Sequence, residues 1–294
     1  MERSEFILDG RTCLVWSHDA PDALLVEPVD RRDLDFIGSE IDFLEGHSER
    51  PFALAAFIVE DWNVELSPWP ADPVFGRDAF GDGAGRTLRF IEDSLIPEVL
   101  SRRPSLAGKE VILGGYSLAA LFALWAAYEG RSFSAIAAAS PSVWFPGWLD
   151  FARGRRPFGS VRRPFGEGRR SFVEEQRPCV SGPRAFVSGQ EPFGEGRKPF
   201  VSGPSPEAER IYLSLGDQES KTRNRVMSTV GERITEYADL LTSQGIVTTL
   251  EWNPGNHFRD ADLRTAKAFL WCLNSAGRQR SISRRRKVNC GRSW

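Results

Sequence analysis

The chain has 294 residues, of which 41% are hydrophobic, and its formal net charge is −2. That length and apolar content suffice for one sizeable core in a single α/β domain, and the small net charge gives no indication of a polyanionic partner. The first five residues lack the apolar run of a signal peptide, and no stretch reaches the roughly 18 apolar residues of a membrane span. We therefore expect a cytoplasmic protein that does not insert into membranes.

Charge is distributed unevenly along the chain. Residues 153–203 and 276–294 carry net charges of +6 and +7, which leaves −15 for the rest. Segment 153–205 also repeats short units rich in Gly, Pro, Arg and Ser, and such a composition cannot bury enough apolar surface to fold. We expect a catalytic domain over 1–275, interrupted by a disordered insertion at 153–205 and followed by a disordered basic tail at 276–294. Both segments could attract phosphate without sequence preference, but specific nucleic-acid binding is not expected.

The first half of the chain alternates strand and helix patterns. An Asp9-Gly10 turn between two short apolar segments predicts an antiparallel hairpin. Apolar residues at helical spacing predict one helix over 34–44 and a second one that Thr87 would cap at its N-terminus. Continuous apolar runs, typical of strands covered on both faces, occur at 23–27, 52–59 and 111–113.

The second half continues this alternation. Residues 118–128 are apolar on nearly every side, which predicts a buried helix that ends at Gly130. Amphipathic patterns predict two further helices at 225–241 and 261–273. Apolar runs predict strands at 135–139, 211–215 and 247–252. The sequence therefore indicates an α/β fold with a mostly parallel central sheet and helices on both faces.

The sharpest motif surrounds Ser117, between a predicted strand and a predicted helix. Gly115 and Ala119 lie two residues to either side, where a tight strand-to-helix turn leaves no room for large side chains. Such a turn presents the serine hydroxyl as a nucleophile and directs the N–H of Leu118 at a developing oxyanion. Val29, near the end of an earlier strand, is the candidate for the second oxyanion donor. The alternative is a serine that merely ends a strand.

Histidine is the usual base for a serine hydroxyl, and the chain has three histidines. His257 lies in a turn-rich loop between the last predicted strand and the last helix, in the chain order nucleophile, acid, base of α/β-hydrolases. His18 and His47 precede the serine and are predicted to be surface residues. We expect His257 to be the general base.

Two carboxylates follow the strand that precedes the final helix and strand. Asp217 and Glu219 both lie just after Gly216, and the common layout places the acid three residues after a strand-end glycine, which favours Glu219. Its carboxylate would orient the imidazole and stabilise the imidazolium. Asp217 remains the alternative acid, and a Ser–His dyad without an acid remains a third possibility.

These motifs together resemble the enterochelin esterase-like and esterase D-like branch of the α/β-hydrolases. The matching segments are 61–69, 115–119, 140–144, 215–219 and 253–257. The resemblance implies a serine esterase that needs no metal and no cofactor, with Ser117, Glu219 and His257 as nucleophile, acid and base. Two features depart from the pattern: the insertion occupies the position where many α/β-hydrolases carry a lid, and the basic tail has no counterpart.

Several aromatic residues fall in loops at the predicted carboxyl edge of the sheet, where open α/β sheets bind ligands. They indicate an apolar or aromatic group on a small-molecule ester, although each tryptophan could equally pack its own loop. The candidate substrate-binding residues are Trp62, Asn63, Trp69, Tyr116 and Trp144, and Trp148 lies in the same region.

The predicted function is hydrolysis of a carboxylic ester through an acyl-enzyme intermediate. An acyltransferase with the same triad and a catalytically silent binding module are the alternatives. Four scattered cysteines show no metal-like or paired spacing and indicate free thiols in a reducing compartment. The sequence does not indicate an oligomeric state.

Overall fold

The computed structural model of the chain describes residues 1–74, 76–158 and 209–289, with the backbone alone for Asp35 and for 276–289. The strands are β1 (Glu2–Leu8), β2 (Arg11–Ser17), β3 (Ala23–Val29), β4 (Phe52–Ile58), β5 (Glu110–Tyr116), β6 (Ala135–Ala139), β7 (Arg210–Gly216) and β8 (Val247–Asn253). The α-helices are α1 (Ile37–His47), α2 (Trp62–Glu65), α3 (Ala84–Phe90), α4 (Ile96–Arg102), α5 (Leu118–Glu129), α6 (Trp148–Arg153), α7 (Val230–Ser243) and α8 (Ala261–Asn289).

The strands form one sheet in the order β1-β2-β4-β3-β5-β6-β7-β8. β1 pairs antiparallel with β2, β2 pairs antiparallel with β4, and every other neighbouring pair is parallel. One face of the sheet packs against α1 and α8, and the opposite face packs against α3 to α7. The predicted hairpin and the mostly parallel sheet with helices on both faces are confirmed.

The central strand β5 is glycine-rich because helices approach it closely. A Cβ on Gly114 would lie 2.4 Å from Cζ of Phe269 in α8. On the other face, α5 is enclosed between the sheet and the outer helices, which is why nearly all of its residues are apolar. This packing fixes the end of β5, and therefore the start of α5, within the core.

The helix predicted to begin at Thr87 begins earlier. It starts at Ala84 and runs through a π-helical turn, Ile91–Leu95, into α4. Thr87 is buried inside it, and its hydroxyl donates to the Glu65 carbonyl oxygen at 2.8 Å instead of capping the N-terminus. The Thr87 prediction was wrong because a threonine at a helical position can satisfy its hydroxyl through a tertiary partner.

The predicted start of the insertion also differs from the structure. Residues 153–158 were assigned to the insertion, but Arg153 ends α6, and Phe158 is buried and donates its N–H to the Ala127 carbonyl oxygen at 2.6 Å. The remainder of the insertion lies outside the described residues.

The last helix was predicted to end at Leu273, with a disordered tail from Gly277. The backbone is helical to Asn289, consistent with the strong helix propensity of the Arg, Lys and Gln residues there. The expected disorder of the tail stays a prediction. Residues 290–294 lie outside the description. Among the described residues, none of the helices combines the length and apolarity needed to cross a membrane.

Candidate active site

Ser117 lies in a strained turn between β5 and α5. Its φ of 58° and ψ of −116° are unusual for a residue with a side chain, and such strain is typical of functional turns. A Cβ on Gly115 would lie 2.7 Å from the Cβ of Ala119, so this position cannot hold a larger residue without movement. The Ser117 N–H donates to the Ala139 carbonyl oxygen at 3.1 Å, which anchors the turn to β6.

His257 lies in the loop between β8 and α8 and reaches Ser117. Its Nε2 is 2.9 Å from Ser117 Oγ and accepts the hydroxyl proton when Nδ1 carries the ring proton. The Tyr116 hydroxyl donates to the His257 carbonyl oxygen at 2.6 Å, so the residue before the nucleophile holds the histidine loop. The other two histidines, His18 and His47, bond to the backbone of Phe52 and Phe43 elsewhere in the molecule.

Of the two candidate acids, Glu219 lies beside the imidazole. Its Oε2 is 2.7 Å from His257 Nδ1, and its side chain is 4% exposed. Asp217 is exposed and accepts the Gly255 N–H at 2.8 Å, which holds the histidine loop from outside. The chain turns after Gly216, and this turn carries Glu219 inward and leaves Asp217 at the surface.

The second oxygen of Glu219 is held by three donors. Oε1 accepts hydrogen bonds from the Gly216 N–H at 2.7 Å, the Ser140 hydroxyl at 2.8 Å and Arg264 Nη1 at 3.0 Å. Arg264 is 2% exposed, and its Nη1 also lies 3.1 Å from the Tyr116 hydroxyl. A buried carboxylate with this many donors and a buried cation is well compensated.

These contacts set the charge of Glu219. Burial by itself raises the pKa of its carboxyl, but the hydrogen bond and charge of His257, followed by the Gly216 N–H and the Ser140 hydroxyl, outweigh burial and hold the pKa below its usual value. Glu219 is therefore ionised at neutral pH. An ionised acid in this position can stabilise a positive charge on His257.

The two predicted oxyanion donors are Leu118 and Val29. Leu118 is the first residue of α5, where backbone N–H groups have no acceptor within the helix. Val29 ends β3 and lines the same cavity as Tyr116, the residue before Ser117. The roles of Leu118 and Val29 as donors stay predictions.

Two of the predicted substrate residues line a cavity of about 330 Å³. Trp62 and Tyr116 contribute to its wall, together with Val29. Asn63 lies on the same short helix as Trp62, and its Nδ2 is 3.5 Å from the Asp78 carbonyl oxygen. A contact between any of these residues and a substrate stays a prediction.

The other tryptophans pack within their loops. Trp144 is 5% exposed and packs against the rings of Phe80 and Phe145. Trp69 donates its indole N–H to the Pro146 carbonyl oxygen at 2.9 Å. Trp148 begins α6 instead of lying in a loop, and it is fully buried, so its position lends no support to a role in ligand binding. For Trp69 and Trp144, substrate contact stays a prediction to which this packing lends no support.

Sequence analysis missed Arg264 and the serines around the triad. Ser142 Oγ lies 3.4 Å from Ser117 Oγ, and Ser140 supports the acid, although no role had been assigned to either. Arg264 could have been detected because it shares a helical stripe with the buried Ala268 and Cys272. A charged residue on a buried stripe indicates a buried partner of opposite charge.

The described thiols, Cys13 and Cys272, are free and buried. Burial raises the pKa of Cys13 to about 11 and that of Cys272 to about 12, so neither is a nucleophile at neutral pH. Within the described parts of the chain, no group of three or more His, Cys, Asp or Glu side chains could hold a metal ion.

No protein-family profile matches the sequence, and no curated protein matches it significantly. Solved structures do match the fold. A serine hydrolase of the IroE-like type from Shewanella oneidensis has a TM-score of 0.64 and 15% identity, covering 93% of this chain and 80% of that one. The siderophore hydrolase EstA from Aspergillus nidulans has a TM-score of 0.60 and 18% identity, covering 93% and 94%.

An enterobactin hydrolase, IroE, in complex with DFP has a TM-score of 0.56 and 13% identity, covering 94% of each chain. At sequence identities this low, the similarity shows only that the folds are alike. The protein therefore shares the fold of these hydrolases, which is the α/β-hydrolase fold predicted from the sequence.

Proposed function

We propose that this protein hydrolyses a carboxylic ester of a small molecule, with Ser117 as nucleophile, His257 as general base and Glu219 as the acid that supports it. The observation that carries the proposal is the unbroken series of hydrogen bonds from Ser117 Oγ through both ring nitrogens of His257 to Glu219. Each distance suits proton transfer or orientation. A catalytically silent module would have no need of this series.

In the first half of the reaction, Ser117 Oγ bonds to the carbonyl carbon of the ester, and its proton passes to His257 Nε2. The Leu118 N–H, with Val29 as the second candidate donor, faces the negative charge that develops on the carbonyl oxygen. The tetrahedral intermediate then expels the alcohol, which takes the proton from Nε2. Ser117 is left as an acyl ester.

In the second half, water replaces the alcohol. His257 Nε2 takes a proton from water as its oxygen bonds to the acyl carbon, and the same proton returns to Ser117 Oγ as the acid product leaves. Glu219 stabilises the imidazolium in both halves without becoming protonated. Arg264 and Ser140 hold Glu219 in the required orientation.

The structural neighbours support the choice of reaction. Two are described as hydrolases of siderophores or of enterobactin, and a third is described as a serine hydrolase. They support hydrolysis as the class of reaction. The hydrogen bonds that join Ser117, His257 and Glu219 in this chain support the choice of residues.

Steady-state hydrolysis of p-nitrophenyl acetate and butyrate tests the proposal. We expect Ser117→Ala and His257→Ala each to lower kcat by at least about a thousandfold, because residues that act as one unit fail together. His18→Ala and His47→Ala are the matched controls and should keep nearly full activity. Wild-type turnover by folded Ser117→Ala would contradict the proposal, and so would equal losses in all three histidine variants.

A further inference from the structure

A second serine lies against the nucleophile. Ser142 is in the loop that follows β6, it is 1% exposed, and its Oγ is 3.4 Å from Oγ of Ser117. Its N–H donates to the Ser117 carbonyl oxygen at 3.1 Å, and its own carbonyl oxygen accepts the Phe145 N–H at 2.9 Å. Because both backbone groups of Ser142 are hydrogen-bonded, its hydroxyl is held beside the reacting oxygen.

The same loop also reaches the acid of the triad. Ser140 has a φ of 44°, which residues with a side chain seldom adopt, and it donates its hydroxyl proton to Oε1 of Glu219 at 2.8 Å. Backbone strain of this kind persists only where the surrounding structure requires it. The loop after β6 thus places one serine on the acid and a second serine on the nucleophile.

The direction of the hydrogen bond between Ser142 and Ser117 follows from the triad. Glu219 is ionised and can only accept, so His257 Nδ1 donates to it and Nε2 is left as an acceptor. Ser117 therefore uses its single hydroxyl proton on Nε2, at 2.9 Å. In the pair of serines, Ser142 has to be the donor and Ser117 Oγ the acceptor. In the part of the chain that the structure describes, Ser117 Oγ is the one hydrogen-bond partner of the Ser142 hydroxyl.

This hydrogen bond is long while Ser117 is at rest, since O–H···O distances are usually about 2.7–2.8 Å. Hydrogen bonds to reacting groups are often long before the substrate binds and shorten in the transition state. They also strengthen when the acceptor gains negative charge. The contribution of Ser142 therefore depends on when Ser117 Oγ gains charge.

The two halves of the reaction differ in this respect. In acylation, Ser117 Oγ forms a bond to the carbonyl carbon, and a donor that stabilises charge on this oxygen also weakens it as a nucleophile, so the two effects oppose each other. In deacylation, the bond between Oγ and the acyl carbon breaks, its electron pair goes to Oγ, and His257 Nε2 returns a proton to it. An ester oxygen is a poor acceptor and a departing serine oxygen is a strong one, so the donor stabilises this transition state more than the acyl-enzyme.

We propose that Ser142 is a further catalytic residue, whose hydroxyl donates to Ser117 Oγ and assists the departure of this oxygen from the acyl-enzyme. Ser142 keeps its own proton throughout, because the proton that Ser117 regains comes from His257. This role rests on the proposed function, since it needs an acyl ester on Ser117, and it assigns a residue to the second half of the reaction.

Single-turnover and steady-state kinetics with p-nitrophenyl acetate separate the two halves. The first rapid release of p-nitrophenol gives the acylation rate, and intact mass measurement of the decay of acetylated Ser117 gives the deacylation rate. We expect Ser142→Ala to lower the deacylation rate by about tenfold, as for the loss of one hydrogen bond, and to change the acylation rate by less than about threefold. With deacylation limiting turnover, kcat and KM should fall together and leave kcat/KM nearly unchanged.

Three further variants distinguish this role from others. Ser140→Ala should lower both rates, because Glu219 supports the imidazolium in both halves. Ser134→Ala is the matched control, since this serine is also buried but donates to the Val111 carbonyl oxygen just before β6, and neither rate should change. Ser142→Cys fills the same position with a weak donor, so deacylation should slow as in Ser142→Ala, and this variant keeps the test open if Ser142→Ala does not fold.

Equal losses in both rates of Ser142→Ala, or wild-type deacylation in the folded Ser142 variants, would overturn the role of Ser142 and leave the proposed function in place. Absence of an acyl ester on Ser117 in the wild-type protein would contradict the proposed function, and the role of Ser142 with it.

Discussion

At the scale of single residues, the site depends on a buried pair of opposite charges. Glu219 and Arg264 are nearly inaccessible, and each would be costly to bury alone. Together they connect the loop after β7 with the start of α8 and the Tyr116 hydroxyl. Arg264 is thus a positioning residue, which acts on His257 through Glu219.

The two carboxylates after β7 give a direct prediction. We expect Glu219→Gln to lower kcat at least tenfold, because an amide cannot stabilise the imidazolium by charge. Asp217→Asn should have a smaller effect, because its amide oxygen can still accept the Gly255 N–H. Initial rates on an aryl ester, with intact folding checked by circular dichroism, measure both.

A larger loss in Asp217→Asn would exchange the two roles, and no loss in either variant would leave a Ser–His dyad.

Sequence alone could not decide between these two residues. They are two positions apart in the same polar segment, and the backbone turn at Gly216 that separates them depends on contact with the histidine loop. The hydrogen bond from the Gln218 N–H to the Gly255 carbonyl oxygen, at 3.0 Å, is part of that contact.

At the scale of elements, β3 and α1 bury acids against each other. Burial raises the pKa of Glu27 to about 8, and the charge of Asp33 adds to this rise. Burial and the neighbouring charge of Glu27 also raise the pKa of Glu40. A carboxyl whose pKa is higher in the folded state binds more protons there than in the unfolded state, so stability falls as pH rises.

The free energy of unfolding should therefore decrease from about pH 5 to pH 8, as Glu27 loses its proton. Glu27→Gln removes one of these groups and should flatten the decrease. Urea unfolding at pH 5, 6, 7 and 8 measures the slope. Asp239→Asn is the control and should keep the wild-type slope; an equally steep slope in Glu27→Gln would contradict the assignment.

The strands were predictable because buried parallel strands appear as continuous apolar runs, and each of these runs is a strand in the structure. Helix ends were less predictable. Threonine often caps helices, but Thr87 lies inside a helix. Its hydroxyl donates to the Glu65 carbonyl oxygen instead of to the helix N-terminus. The short helices α2 and α6 were missed, since one or two turns leave little periodicity to detect.

At the scale of the whole molecule, the candidate triad comes from three loops at one edge of the sheet. Ser117 follows β5, Glu219 follows β7 and His257 follows β8. Parallel strands present their carboxyl ends at the same edge, so the fold brings together residues that are far apart in sequence. The chain order and the nucleophile turn could be predicted, but the contacts of Arg264 with Glu219 and Tyr116 could not, because they arise from packing between separate elements.

We predict that the basic, repeat-rich insertion is dispensable for the fold. Arg156 and Glu209 lie on either side of the segment that the structure does not describe, and their side chains form an ion pair at 3.2 Å. A short linker can therefore join the two sides. We expect removal of 159–208 with a Gly-Ser linker to change the free energy of unfolding by only about 1 kcal/mol and to keep esterase activity.

Thermal unfolding and p-nitrophenyl butyrate hydrolysis of the shortened chain measure the result. The full chain and a second shortened chain with a longer linker serve as controls for linker strain. Aggregation of both shortened chains, or loss of activity in folded protein, would show that the segment contributes to the fold or to the site.

The central claim is that Ser117 is a nucleophile activated by His257. Its most direct test is covalent labelling with a fluorophosphonate, followed by intact mass measurement and peptide mapping. The account predicts one adduct on Ser117, no adduct in Ser117→Ala, and labelling at least about a hundredfold slower in His257→Ala. An adduct on another residue, or equally fast labelling of Ser117→Ala, would contradict it.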